Sequence, residues 1–252
     1  MRKPSTSKID LTTLEAFLHE TAIGSAGLRL RDEDRKKARE LEGLLPEIAR
    51  AIESVPTPTM VDAACGSGWV GLAALALLDR PTLTVVGIER DARKAERAAA
   101  LRGSQDRFRV VTGDVDDASV WPVAPDLVVA LHACGTASDQ VIARAAAVEA
   151  RAMLVVPCCV ASTLEVAELA SIKAEAMGLP HAGAVRRRFV ESFVLGARLL
   201  EMESLGYTTE AVAFVGETVT PYNVLLRGRR RANDRARIET AIAQRARLLS
   251  RD

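Results

Sequence analysis

Residues 61 to 71 read Val61-Asp62-Ala63-Ala64-Cys65-Gly66-Ser67-Gly68-Trp69-Val70-Gly71. The stretch begins with apolar residues typical of a β-strand, passes through a glycine turn, and continues into leucines and alanines that favour a helix. Glycine accepts a positive φ and has no Cβ, so such a turn lets a ligand approach the bare backbone. The first turn of the following helix offers unpaired N–H groups to a polar or anionic ligand. The stretch therefore predicts a nucleotide-like cofactor site.

The chain has the size and composition of one α/β domain with additions. It has 252 residues, of which 48% are hydrophobic and 4% aromatic, which suits a core of Val, Leu, Ile and Ala. The net charge is only +1, but nine arginines against three acidic residues give residues 227–252 a net charge of +6. We find no signal peptide and no apolar run of membrane length. The four cysteines form no C-x-x-C pair, so we expect a reduced, cytoplasmic protein.

Strand and helix patterns alternate from residue 59 onwards. Apolar, β-prone runs with helical stretches between most of them occur at residues 60–64, 83–88, 108–111, 127–131 and 153–156. Two later strand candidates, residues 210–215 and 222–226, are close enough in sequence to form an antiparallel hairpin. The pattern predicts an α/β fold with a mostly parallel, seven-stranded sheet and helices on both faces.

Helical patterns flank this α/β region. Residues 1–55 are expected to form an N-terminal helical cap, in which leucines and isoleucines recur at helical spacing after Asp32, a residue suited to capping a helix. Residues 56–228 are expected to form the cofactor-binding domain, and residues 229–252 a basic C-terminal helix.

The glycines alone do not identify the cofactor. Gly66, Gly68 and Gly71 satisfy G-x-G-x-x-G, so a nicotinamide or flavin dinucleotide is one candidate. Asp62 argues against it, because a dinucleotide-binding strand usually runs apolar directly into its first glycine. Asp62 followed by C-G-S-G resembles motif I of the class I S-adenosylmethionine methyltransferases, which have a Rossmann-like fold. The resemblance implies that S-adenosyl-L-methionine is the cofactor and that the backbone of residues 65–68 surrounds its methionine part.

Two acidic residues extend this resemblance. Glu89, in V-V-G-I-E-R-D, lies where the family has an acid that hydrogen-bonds both ribose hydroxyls, and its two oxygens suit two hydroxyl donors. Asp114, in G-D-V, resembles the aspartate that meets the adenine amine, although it is also compatible with an ordinary surface turn. The cofactor contacts that the resemblance implies are Asp62, Ala64, Cys65, Gly66, Gly68, Glu89, Arg90, Asp114, Val115, Leu131 and His132.

A second informative stretch follows the fourth strand and reads Leu131-His132-Ala133-Cys134-Gly135-Thr136-Ala137-Ser138-Asp139. Ligands of open α/β sheets bind beyond the carboxyl ends of the strands, so His132 and Asp139 are candidate catalytic residues near the methyl donor. Imidazole accepts a proton near neutral pH, which makes His132 a candidate base for a hydroxyl or amine nucleophile. The alternatives are that His132 only shapes the cofactor loop and that Asp139 only pairs with an N–H group at a helix start.

The same stretch looks like the H-x-C-G-x-A-T-D signature of one methyltransferase branch. That branch includes the Trm13-type tRNA 2′-O-methyltransferases, the methyltransferase-like 25 proteins and the methyltransferase domain of the glutathione S-transferase C-terminal-domain-containing protein. Ser138 replaces the usual threonine, and Val160 stands where the Trm13 type has histidine. Three further segments resemble the branch: Arg35-Lys36-Lys37-Ala38-Arg39-Glu40, Val156-Pro157-Cys158-Cys159 and Thr220-Pro221-Tyr222-Asn223-Val224-Leu225-Leu226.

RNA is the expected acceptor, methylated on oxygen or nitrogen. The expectation depends on the branch resemblance and on two basic segments, Arg186-Arg187-Arg188 and the C-terminal helix, because arginine binds phosphates well. Alternatives are a protein or a small metabolite as acceptor, or a cofactor-binding RNA or assembly factor without turnover. We expect no membrane partner, because no apolar run has the length of a membrane span. We also expect no metal site at the cysteines, because a cysteine often serves as a small buried hydrophobe.

Overall fold

The computed structural model describes residues 9–23, 30–157, 160, 164–181, 183–231 and 233–250. A seven-stranded sheet lies at its centre, with the strand order β3-β2-β1-β4-β5-β7-β6. The strands are β1 (Thr59–Ala63), β2 (Thr84–Glu89), β3 (Phe108–Thr112), β4 (Leu127–Leu131), β5 (Ala152–Val156), β6 (Tyr207–Ala213) and β7 (Val224–Arg230). The first five strands pair in parallel, whereas β7 is antiparallel to both β5 and β6. The expected seven-stranded sheet is therefore confirmed. The sheet is mixed, because β7 forms antiparallel pairs with β5 and β6.

Helices fill most of the connections between the strands. They are α1 (Leu11–Leu18), α2 (Asp32–Ala51), α3 (Trp69–Leu77), α4 (Ala92–Arg102), α5 (Ala137–Ala147), α6 (Glu165–Ala176), α7 (Gly183–Ser204) and α8 (Arg235–Leu249). A π-helical turn, His19–Ile23, continues α1, and a 3₁₀ turn, Ala118–Val120, precedes β4. Within the described ranges, no helix has the length and apolar content that crossing a membrane requires.

Two apolar layers cover the two faces of the sheet. Helices α1, α2, α3 and α4 bury residues such as Leu41, Leu72 and Ala98 against one face. On the opposite face, α5 and α7 bury residues such as Ile142 and Met202. The buried side of α2 is thus continuous with the core of the sheet, because its leucines and isoleucines recur at helical spacing.

Some element boundaries differ from those expected from the sequence. Helix α2 begins one residue after Arg31, whose backbone N–H donates to Asp34, so Asp32 is not its cap. Strand β6 begins at Tyr207, before the expected residue 210, because the ladder with β7 starts at the pair Tyr207 and Arg230. The Tyr207 hydroxyl donates to the carbonyl of Ala150 at 2.7 Å, which anchors this buried ring.

The strand order indicates that a ligand binds at the carboxyl ends of the central strands. From β1 the chain builds outward through β2 to β3, and it then returns to the other side of β1 to build β4 and β5. A crevice forms where the order reverses, at the carboxyl ends of β1 and β4. The glycine turn after β1 and the histidine stretch after β4 both begin at this point.

Candidate active site

A cavity of about 410 Å³ lies at the carboxyl ends of β1, β2 and β4. Every expected cofactor contact except Gly68 lines it. The volume falls within the range of roughly 300–1,000 Å³ that is usual for small-molecule sites. The sequence stretches after three different strands therefore meet in one cavity of the size a nucleotide-like ligand needs.

The glycine turn has the open backbone that the sequence predicted. Gly66 has φ +58°, and a Cβ built on it meets nothing within 4 Å, so its backbone borders open space. Gly68 has φ +78°, and a Cβ on it would lie 2.7 Å from the ring of Phe108. Gly68 therefore serves the packing of the turn against β3, whereas Gly66 lines the cavity itself.

Asp62 connects the end of β1 to the helix after the turn. Its side chain is 1% exposed, and its Oδ2 accepts a hydrogen bond from the Gly71 N–H at 3.0 Å. Burial raises the pKa of Asp62 to about 7, although the bond from Gly71 and the charge of Lys37 oppose this shift. Asp62 therefore changes charge close to neutral pH.

Glu89 ends β2 and is held by two backbone groups. Its Oε2 accepts from the Gly66 N–H at 2.8 Å and its Oε1 from the Asp91 N–H at 2.9 Å. Each carboxylate oxygen has a second lone pair, so both can still accept a hydroxyl proton from a ligand. Asp114 lies further out, where its Oδ1 accepts from the Asp116 N–H at 3.0 Å.

His132 and Asp139, the two candidate catalytic residues, have different surroundings. The His132 ring lines the cavity, and its Nε2 lies 2.9 Å from Oε2 of Glu40 in α2. Asp139 lies in the first turn of α5, outside the cavity lining, and its carboxylate binds Arg198. The fold therefore brings His132 into the candidate site and gives Asp139 a partner elsewhere.

The cysteines show no arrangement for catalysis among the described residues. Burial, reinforced by the charges of Asp62 and Glu89, raises the pKa of the Cys65 thiol, which keeps it protonated and weakly nucleophilic. Cys134 is disulfide-bonded, which departs from the expectation of reduced thiols. Cys158 and Cys159 lie outside the described residues. Within the part of the chain that is described, no group of three or more His, Cys, Asp and Glu side chains is placed to hold a metal ion.

A family model described as a methyltransferase domain matches residues 36–165. The chain belongs to this methyltransferase-domain family. The match begins within α2, and it includes the glycine turn, Glu89 and the histidine stretch. No curated protein has a significantly similar sequence.

Solved structures share the fold of this methyltransferase domain at low sequence identity. The CurJ carbon methyltransferase has a TM-score of 0.53 at 14% identity, over 90% of this chain and 60% of that one. The fibrillarin pre-rRNA processing protein of Methanococcus jannaschii has a TM-score of 0.50 at 11% identity, over 74% of this chain and 75% of that one. A fibrillarin/Nop5p complex has a TM-score of 0.50 at 14% identity, over 77% and 82% of the two chains. At these identities the likeness concerns the fold alone.

S-adenosylmethionine is the methyl donor that family membership implies, and the cavity of this methyltransferase domain fits it. The Glu89 carboxylate provides acceptors for ribose hydroxyls at the end of β2. The open backbone at Gly66 and the deep carboxylate of Asp62 lie beside it, and Asp114 and Val115 line the far wall. This part of the cavity thus supplies oxygen acceptors and open backbone, which suit the hydroxyl groups of a nucleoside and an amino-acid tail.

The sequence reasoning missed the contribution of α2 to the methyltransferase site. Lys37 and Leu41 of α2 line the cavity, and Glu40 contacts Nε2 of His132. A signal is present, because the segment Arg35-Lys36-Lys37-Ala38-Arg39-Glu40 resembles the methyltransferase branch, but nothing local indicates that it reaches the end of β4.

The acidic and basic side chains that line the cavity differ in how deeply they are buried. Asp62 and Glu89 are buried at the floor. Arg90 and Lys94, which line the outer wall, are exposed, and the Arg90 side chain is 80% accessible. The opening therefore carries two exposed cations, of which Arg90 lies 3.8 Å from the half-exposed Asp114, whereas Asp62 and Glu89 are buried.

Proposed function

We propose that this chain is an S-adenosylmethionine-dependent methyltransferase that methylates RNA on an oxygen or nitrogen atom. When bound, S-adenosylmethionine supplies an electrophilic methyl group on a sulfonium centre. The observation that carries the proposal is the single cavity in which the glycine turn, Glu89 and His132 meet beneath a positively charged rim.

The chain's own residues would contribute mainly by positioning. Glu89 and the backbone around Gly66 would hold the donor, and the cavity walls would bring the acceptor atom into line with the methyl group. Holding two reactants in a reactive geometry removes much of the entropic part of the barrier. His132 lines the same cavity, where it would take a proton from a hydroxyl or amine acceptor.

RNA as the acceptor is supported by the rim and by the branch resemblance. Arg90 and Lys94 are exposed cations at the cavity opening, where the phosphates beside a target nucleotide would lie. The H-A-C-G-T-A-S-D stretch resembles a branch that includes tRNA methyltransferases. The acceptors named for the solved structures do not discriminate, because they share only the fold with this chain.

The basic segments noted in the sequence support RNA binding less directly. Arg186 donates to the carbonyl of Ser171 at 2.7 Å and lies 3.6 Å from Glu175. In the C-terminal helix, Arg235 pairs with Glu239 at 2.9 Å. Much of this charge is therefore offset locally. At the rim Arg90 also lies 3.8 Å from Asp114, but Lys94 has no ion pair among the described residues, and we assign the first phosphate contacts to this rim because it borders the cavity.

Transfer of a labelled methyl group tests the proposal. Purified protein is incubated with methyl-labelled S-adenosylmethionine and total cellular RNA, or with the protein and small-molecule fractions of the same extract. Label is expected in RNA, and a Glu89→Gln variant should lose it. Label in protein or in small molecules would replace RNA as the acceptor. Absence of label in every fraction, together with binding of S-adenosylhomocysteine, would favour a cofactor-binding factor without turnover.

A further inference from the structure

We propose that Glu40 is a positioning residue that fixes the tautomer of His132, so that Nδ1 is the atom that accepts the proton. The inference rests on the proposed function, because it deepens the role of His132 in methyl transfer. The relevant bond joins Nε2 of His132 to Oε2 of Glu40 over 2.9 Å.

The burial of Glu40 is the first observation behind this role. Glu40 lies on α2 among leucines and is only 2% exposed. Its Oε1 has no hydrogen-bond partner among the described residues, and its other charged neighbour, Lys36, is 3.9 Å away. A buried carboxylate is costly unless it is paired, so the bond to His132 is its main compensation.

The backbone of His132 is the second observation. His132 has φ +68°, in the left-handed region that non-glycine residues rarely adopt. Such a conformation persists where surrounding contacts hold it, and these residues often lie at functional sites. Two contacts hold His132: its backbone N–H donates to the Val156 carbonyl at 3.2 Å, and its ring contacts Glu40.

The tautomer follows from the chemistry of the pair. An ionised carboxylate only accepts hydrogen bonds, so Nε2 carries the proton that it shares with Glu40. In a neutral imidazole the lone pair then resides on Nδ1. While the acceptor oxygen or nitrogen took the methyl group and the bond from the methyl carbon to sulfur broke, the acceptor's proton would pass to Nδ1 of His132. The positive charge that His132 gained would be stabilised by Glu40.

Nitrogen NMR tests the tautomer directly. The chain has three histidines, so the ring signals of His132 can be assigned in ¹⁵N-labelled protein by comparison with His132→Gln. We expect a protonated Nε2 and an unprotonated Nδ1 at neutral pH, with no acceptor present. A protonated Nδ1, in either the other neutral tautomer or the imidazolium form, would overturn the proposal.

Two variants on the same helix separate positioning from general effects. Glu40→Gln keeps the size of the side chain but allows an amide N–H to donate to Nε2, which disfavours the productive tautomer. We expect mixed or reversed tautomer signals, at least a tenfold lower kcat for methyl transfer to RNA, and S-adenosylhomocysteine affinity within about twofold of wild type. Glu47→Gln makes the same charge change on α2, where Glu47 pairs with Arg50 and Arg227, and it should leave the tautomer unchanged.

The outcomes distinguish this inference from the proposed function. If wild type binds S-adenosylhomocysteine and methylates RNA but Glu40→Gln retains the tautomer and the kcat, the positioning role is wrong and the function stands. If wild type binds no S-adenosylhomocysteine, the proposed function fails and the role of Glu40 in it fails as well.

Discussion

Both carboxylate oxygens of Asp139 bind the guanidinium of Arg198, with Oδ1 2.7 Å from Nε and Oδ2 3.1 Å from Nη2. Arg198 is 3% exposed, and its Nη2 also donates to the Gly135 carbonyl at 2.9 Å. One buried arginine of α7 thus contacts both the turn at Gly135, after β4, and the first turn of α5. The aspartate of the H-A-C-G-T-A-S-D stretch has a structural partner, and this suggests how its role can be tested.

Asp139→Asn should destabilise the fold without weakening donor binding. Loss of the charged partner leaves the buried Arg198 guanidinium uncompensated, and we expect the free energy of unfolding to fall by about 1–3 kcal/mol. Urea unfolding measures the loss, and calorimetry with S-adenosylhomocysteine measures donor affinity. Asp116→Asn is the control, because Asp116 is exposed and lies 3.7 Å from Arg144. Unchanged stability combined with lost methyl transfer would instead make Asp139 catalytic.

Asp62 should make the stability of the ligand-free protein fall as the pH rises towards neutrality. Its pKa is raised from 3.8 to about 7 in the folded protein, so the native state binds more protons than the unfolded state between these values. The stabilising term is fully present below about pH 4 and is lost by about pH 7, with a total of roughly 4 kcal/mol. The measurement is the difference in unfolding free energy between wild type and Asp62→Asn at several pH values. A difference that does not change with pH would contradict the assigned pKa.

Glu89→Gln should weaken donor binding at least tenfold. Glutamine has one acceptor oxygen in place of two, so the Gly66 and Asp91 N–H groups and two ribose hydroxyls can no longer all be satisfied. Calorimetry with S-adenosylhomocysteine gives the affinity. Asp91→Asn removes a neighbouring negative charge and retains the cap of α4, so its affinity should stay within about twofold of wild type. Equal losses in the two variants would indicate a general charge effect.

The cavity rim should account for part of the salt dependence of RNA binding. Removal of two phosphate contacts in Arg90→Ala/Lys94→Ala is expected to reduce the slope of log K against log salt by about 2. Filter binding across a salt series provides the slopes. The control, Arg235→Ala/Arg247→Ala, removes two cations from α8 and should change the slope little. If the control has the larger effect, RNA contacts the C-terminal helix in preference to the rim.

The sequence was sufficient for the sheet and for most of the cavity lining, because both follow from local patterns. Glu89 ends β2, the glycine turn and His132 directly follow β1 and β4, and parallel strands bring their carboxyl ends together. It was insufficient where a long-range partner decides the outcome. Strand β7 continues to Arg230, past the expected strand end at residue 226 and into the range expected for the C-terminal helix, and its Arg227 pairs with Glu47 and Glu210.

The partner of His132 was hidden for the same reason. Glu40 precedes it by 92 residues, and a glutamate on an amphipathic helix normally faces water. Only the packing of α2 against the sheet reveals that this glutamate is buried at the site. Similarly, no local pattern indicates that Asp139 pairs with Arg198, which lies 59 residues away in α7.

Helix α2 has a practical consequence for dissecting this protein. The sequence suggests trimming the chain at residue 56 to obtain a minimal catalytic fragment. Such a fragment would lack Lys37 and Leu41, and it would expose the apolar sheet face that α2 covers. It would also leave Arg227 without Glu47, a partner 2.7 Å away. Deletion series and fusion designs should therefore keep the chain from Leu11 onwards, since α1 and α2 both pack into this core.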